Sequence, residues 1–148
     1  MSPIALQLEY SVDLALSPEF AWNFRTDVAT WNDPPAQFTL EGPFQAGARG
    51  TTQLPGQDPI HWRITAVDPG KSFVLEMPLD RAVLAFEWSF DPLPEDKTKM
   101  TQRIILSGDN AQAYAQQVEA GFRRNLADGM ERVSRDMEAA AKKPQHVE

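Results

Sequence analysis

The chain has 148 residues, 42% of them hydrophobic, which is one domain's worth of sequence with enough apolar residues to bury a core. A formal charge of −7, with acidic and basic residues interspersed, argues against a nucleic-acid partner, and the absence of cysteine excludes disulfides, thiol catalysis and cysteine-ligated metal. No apolar run approaches the roughly 18 residues that span a bilayer, and the N-terminal residues lack the basic-then-apolar pattern of a secretory signal, so a cytoplasmic location is expected.

From Ile4 to Leu14 the even-numbered residues Ile4, Leu6, Leu8, Tyr10, Val12 and Leu14 are apolar or aromatic, and most of the odd ones are polar. Period two predicts a half-buried strand. Ser17-Pro18-Glu19 then supplies an N-cap, a first-turn proline and a favourable first-turn charge. A short helix follows to about Thr26, carrying Phe20, Ala21 and Phe24, and a second helical turn covers Asp27 to Trp31. Asn32-Asp33-Pro34-Pro35 stops it.

Between Gln37 and Ser107 the pattern is strands joined by short turns. Phe38 and Leu40 alternate with polar neighbours, as do Ile60, Trp62 and Ile64, then Phe73, Leu75 and Met77, then Leu84, Phe86, Trp88 and Phe90, and finally Met100, Gln102, Ile104 and Leu106. Asp68-Pro69-Gly70-Lys71 is a tight turn. Treating neighbours as hairpins places Ile64 opposite Leu75, Leu75 opposite Leu84, Phe86 opposite Ile104 and Trp88 opposite Gln102. On the other face the same count sets Arg63 opposite Glu76 and Glu87 opposite Arg103, two pairs of opposite charge. The last element is a single long helix over about residues 110–141, with Ala111, Ala115, Val118, Phe122, Leu126, Met130, Val133 and Met137 on one stripe. Residues 143–148 form a frayed tail of the same single domain, 1–148.

The order strand, two short helices, six strands, long helix resembles the helix-grip fold of the START/SRPBCC superfamily. Ser17-Pro18-Glu19-Phe20-Ala21-Trp22, Asp27 to Trp31, Gly42-Pro43-Phe44 with Gly47 and Gly50, and Trp62-Arg63-Ile64 running to Val67-Asp68-Pro69-Gly70 resemble its polyketide cyclase/dehydrase-like branch. The resemblance implies an α+β fold: a curved antiparallel sheet of about seven strands gripping a long C-terminal helix, with an apolar cavity between them. It includes lipid carriers, hormone receptors, plant allergens and aromatase/cyclases, so it implies a small hydrophobic ligand without fixing a reaction.

Only the sheet face towards the long helix can line such a cavity. The expected ligand-binding residues are Phe38, Leu40, Thr52, Trp62, Phe73, Leu75, Leu84, Phe86, Trp88, Gln102 and Ile104 from the strands, with Val118, Phe122 and Leu126 from the helix. Gln102 and Thr52 are the polar members, and a buried amide or hydroxyl needs a partner in the protein or in a ligand. His61, Glu76 and Glu87 fall on the opposite face by parity, and His146 lies in the tail. No metal site, cofactor or catalytic residue is expected from this set. Two functions fit: a binding module for an apolar or aromatic molecule, or a cyclase/dehydratase-like enzyme working in the same cavity. The enzyme would need a titratable group there, and only Tyr10, Tyr114, Asp27 or Asp33 is available from the segments considered. The segment from Asp27 to Pro35 is expected to form a lid over one cavity mouth, with Trp31 as its plug.

Overall fold

A computed structural model describes residues 4–31 and 35–142. The strands are β1 (Ile4–Leu14), β2 (Gln37–Leu40), β3 (Arg49–Gln53), β4 (Ile60–Asp68), β5 (Ser72–Leu79), β6 (Ala82–Leu93) and β7 (Lys97–Ser107). They form one curved antiparallel sheet in the order β1-β7-β6-β5-β4-β3-β2. Helix α1 (Pro18–Arg25) and a 3-10 turn (Val28–Thr30) follow β1, and helices α2 (Gln112–Phe122) and α3 (Asn125–Lys142) close the chain. The chain thus visits the sheet's β1 edge first, crosses through α1 to the opposite edge, and returns strand by strand to pair β7 with β1.

Alternation decides which face each strand buries. Leu8 and Leu14 of β1, Leu84, Trp88 and Phe90 of β6, and Met100, Ile104 and Leu106 of β7 are buried together with Val118, Leu126, Met130 and Met137 of the helices. A second cluster, Ala48, Trp62 and Ile64, lies towards the β2 edge beneath Trp31 and Leu40. On the outer face Arg63 pairs across to Glu76 and Glu87 to Arg103. Arg103 bonds both Glu87 and Glu9, so its guanidinium ties three strands together in solvent.

Three local expectations need correction. The turn after β4 is one residue longer than counted, since Asp68 pairs with Ser72. Gly70 at φ +78°, after Pro69, gives the turn its left-handed residue. A bulge between Ile64 and Ala66 absorbs the extra residue and restores Ile64 opposite Leu75, while turning Val67 rather than Ala66 inward. The turn between β5 and β6 is Asp80–Arg81, with Leu79 opposite Ala82, so Leu75 faces Phe86 and Leu84 faces Met77. Asp80 suits a turn better than Leu79 does. The slip is two residues and therefore leaves every side chain on its expected face.

The C-terminal helix is also interrupted. Its helical hydrogen bonding breaks at Arg123–Arg124, where the Asn125 side chain donates to the Gly121 carbonyl at 2.8 Å in place of a backbone amide. Glycine weakens the turn and the competing amide opens the ladder. The tail over 143–148, with His146, and the Asn32–Pro34 part of the expected lid lie outside the described residues. No helix among the described residues is long and apolar enough to cross a membrane.

Candidate functional site

The inner face divides into a filled end and an accessible end. At the filled end Trp22 from α1 sets its edge against Phe73 and Phe90, with ring centroids 6.0 and 5.8 Å apart. Phe44, from the loop between β2 and β3, meets Phe73 at 5.0 Å. Phe73 and Phe90 are consequently sealed at 1% and 2% exposure. At the accessible end Leu75, Phe86, Gln102 and Phe122 keep partial exposure. Phe86 and Phe122 meet edge to face at 5.6 Å between sheet and α2. This end of the inner face is therefore less completely covered than the end around Phe73 and Phe90.

The expected site residues fall into both parts. Trp62, Phe73, Leu84, Trp88, Ile104, Val118 and Leu126 are buried, whereas Phe38, Leu40, Thr52, Leu75, Phe86, Gln102 and Phe122 keep partial exposure. Thr52 has a structural partner: its hydroxyl accepts the Trp62 indole N–H at 3.0 Å. Trp62 lies across the β3 backbone, where a Cβ on Gly50 would sit 2.1 Å from its ring. Glycine is therefore required there by close approach. Gln102 stands opposite Trp88 on β6 and Tyr10 on β1. Among the described residues its amide has no hydrogen-bond partner.

The titratable groups are mostly engaged elsewhere. Asp27 caps the 3-10 turn by accepting from Ala29 N at 3.1 Å, and Tyr114 Oη accepts from Asp80 N at 3.2 Å. Tyr10 donates to Glu131 at 2.6 Å, and that bond holds the phenol above its usual pKa. Asp33 lies outside the described residues. His61 is exposed. Among the described residues no three His, Asp or Glu side chains gather as a metal would require.

Sequence reasoning missed Arg25. Its guanidinium carbon lies 4.0 Å from the centre of the Trp88 ring and 4.8 Å from that of Trp31. Nε is sealed from solvent without a hydrogen bond. The terminal nitrogens make no hydrogen bond or ion pair with the described residues, and the residue as a whole keeps partial exposure. Desolvation lowers the guanidinium pKa from its usual value to about 9, which still leaves it charged at neutral pH. The signal was in the helical period: Arg25 follows Ala21 by four residues, and Ala21 is fully buried, so both share the inward face of α1.

The chain around Arg25 is built to hold it. The end of α1 leaves carbonyls unpaired, and the segment after it supplies the donors. Thr26 N and Oγ1 both reach Trp22 O, Thr30 Oγ1 reaches Phe24 O at 2.7 Å, and the Trp31 indole N–H reaches Arg25 O at 2.8 Å. Trp31 then packs on Phe38 at 5.4 Å and Trp62 at 5.5 Å. Its indole is thus pinned over the β2 and β4 side of the inner face. Trp88, expected as a flat surface for a ligand, is instead covered by Arg25 and only 4% exposed.

Two concavities open near the helix break. One of about 150 Å³ is bordered by Gln7, Leu8, Glu9, Tyr10, Arg123, Leu126 and Ala127. The other, about 890 Å³, is bordered by Gln116, Glu119, Ala120, Arg123, Arg124 and Asn125. The second is larger, but its border is mainly polar and solvent-facing, which suits an apolar ligand poorly.

A curved seven-stranded sheet closed over a C-terminal helical arm defines a helix-grip protein. The chain belongs to the family described as polyketide cyclase / dehydrase and lipid transport, whose model matches residues 5–138. Its fold is similar to that of the Zhui aromatase/cyclase from Streptomyces sp. R1128, with 16% identity, a TM-score of 0.73, and coverage of 93% of this chain and 96% of that one. It is also similar to norcoclaurine synthase from Thalictrum flavum in complex with dopamine and hydroxybenzaldehyde, with 12% identity, a TM-score of 0.72, and coverage of 97% and 91%. A protein from Arthrobacter aurescens is similar at 19% identity and a TM-score of 0.67, covering 97% of this chain and 92% of that one. No curated protein sequence matches the chain.

Proposed function

We propose that this protein binds a small apolar or aromatic molecule in the hollow between the inner sheet face and the α2–α3 arm, as a carrier or sensor. The observation that carries this reading is the half-exposure of Leu75, Phe86 and Phe122 on faces that point at each other. Apolar side chains in that position leave about 25 cal/mol per Å² of burial unrealised, which an apolar ligand would recover. The norcoclaurine synthase complex supports the same reading, since a protein of this fold there holds dopamine and hydroxybenzaldehyde, both small aromatic molecules. Membership in a family described by both cyclase and lipid-transport activities is consistent with an apolar occupant.

A second reading, a cyclase/dehydratase-like enzyme in the same hollow, is favoured by one observation. The buried guanidinium of Arg25 is the kind of fixed positive charge that stabilises a developing oxyanion. Acid–base chemistry would additionally need a proton acceptor close by, and Asp27, Tyr10 and Tyr114 are committed to the bonds described above. The binding reading asks for no such group. Untargeted mass spectrometry of small molecules carried through native purification tests both. A binder returns one apolar compound unchanged and near stoichiometric amount. Recovery of a compound converted on incubation with fresh protein favours the enzyme, and polar metabolites at random would count against either.

A further inference from the structure

Two polar groups on the inner face, Arg25 and Gln102, have no hydrogen-bond or ion-pair partner among the described residues, and they flank one indole. Trp88 carries the Arg25 guanidinium on its ring at 4.0 Å and stands directly opposite Gln102 on β7. A guanidinium has five N–H donors in a planar fork and no acceptor. Lying over two indole rings, at 4.0 and 4.8 Å, it is attracted to the ring faces but exchanges no hydrogen bonds with them. The donors must be satisfied at the edge of the plane. Among the described residues no carboxylate does so. Arg103 and Arg123, by contrast, each have a carboxylate partner.

A charge left in this state is costly, and a structural arginine would ordinarily be given a carboxylate. Here two of the four tryptophans lie against the guanidinium instead, and one of them, Trp31, is held by its indole bond to Arg25's own carbonyl. Among the described residues nothing pairs with the terminal nitrogens, and Gln102 lies beside the same indole with a donor and an acceptor to offer.

We propose that Arg25 is the anion-recognition point of the hollow, and that the ligand carries a carboxylate which pairs edge-on with its guanidinium while the ligand's apolar body lies against Phe86, Leu75 and Phe122. This rests on the binding reading above and narrows it from an apolar molecule to an apolar acid. Arginine suits the task because its fork meets both carboxylate oxygens at once, which lysine cannot reproduce. Gln102 adds a neutral contact for a second oxygen on the same end of the ligand.

The test uses the full chain and three matched probe pairs: 2-naphthoate, 4-phenylbutyrate and laurate, each against its primary amide. Affinities are measured by calorimetry at pH 7, with tryptophan emission as an independent signal from Trp31 and Trp88. The wild type should bind at least one carboxylate tenfold or more tighter than its amide. Arg25→Met should remove that preference while keeping the amide's affinity within about twofold, and Arg25→Lys should restore only part of it. Thermal melts of each variant establish that the protein is folded, and the lysine variant keeps the test open if the methionine variant fails to fold. Equal binding of acid and amide by the wild type, or an acid preference that survives in Arg25→Met, overturns the carboxylate assignment but leaves the apolar site standing. Failure of every probe to bind the wild type overturns both.

Discussion

Replacing Arg25 by methionine should make the protein more stable. Burial without a counter-charge lowers the guanidinium pKa from its usual value to about 9. That lowering is a folded-state cost on the charged form, on the order of a few kcal/mol at pH 7, which the Trp88 and Trp31 ring faces oppose only in part. Methionine has no charge to desolvate, keeps the length and packs readily beside aromatic rings. Arg25→Met should therefore raise the urea midpoint at pH 7 with an unchanged m-value. The pH dependence has a definite sign. Arg25 is a base whose pKa is lowered on folding, so from about 9 upward, until the unfolded chain's own guanidinium titrates, the unfolded chain binds more protons and Arg25's contribution to stability improves as pH rises. The variant's advantage should be constant below about pH 8.5 and shrink above 9. A variant that loses 1 kcal/mol or more at pH 7, or a difference flat to pH 10, would refute the idea of an uncompensated buried charge.

Other substitutions separate structural from ligand-facing roles. Gly50→Ala should cost about 1–3 kcal/mol in urea unfolding, because its methyl would enter the Trp62 ring and displace it; a neutral result would mean that the ring has room to shift. Thr52→Val strips the Trp62 N–H of its acceptor and should cost about 1–3 kcal/mol, and red-shifted tryptophan emission would report the loosened indole. Phe122→Ala should cost only about 1–2 kcal/mol, below the usual range for a fully packed ring, because the ring is half-exposed; a loss above 3 would show a filled core in place of a hollow. Gln102→Leu should change stability by less than about 0.5 kcal/mol while weakening binding of the carboxylate probes, since no bond to a described residue is lost; a clear fall in the melt with unchanged affinity would make the amide structural.

Most of the fold was legible because its signals are local and periodic. The bounds of β1, Ile4–Leu14, follow from eleven residues of alternation. The opposite-charge pairs across the central strands followed from counting residues outward from the turns. That success includes two errors that cancelled, the longer turn at Asp68–Ser72 and the bulge near Thr65. Neither leaves a mark in hydrophobicity. The break at Arg123–Arg124 escaped because the apolar stripe continues through it, although Gly121 and Asn125 together gave the means for it. The site was harder to see. Parity put Trp88 and Gln102 side by side, but what covers Trp88 comes from α1, far away in sequence. Arginine at the end of a short helix ordinarily complements the dipole in solvent, and nothing short of the tertiary contact distinguishes Arg25 from that ordinary case. Thr52 illustrates the converse: its place on the inner face was foreseeable, its bond to Trp62 was not.

The central claim is that the inner face between sheet and helical arm takes an apolar molecule. It is tested most directly by backbone-amide and side-chain NMR shifts during titration with 2-naphthoate, with Arg25→Met run in parallel. The account predicts saturable shifts concentrated at Leu75, Phe86, Gln102 and Phe122 and at the indole signals of Trp31 and Trp88, with weaker binding in the variant. Shifts that fail to saturate, or that gather on the outer face around Arg103 and Glu87, would contradict it.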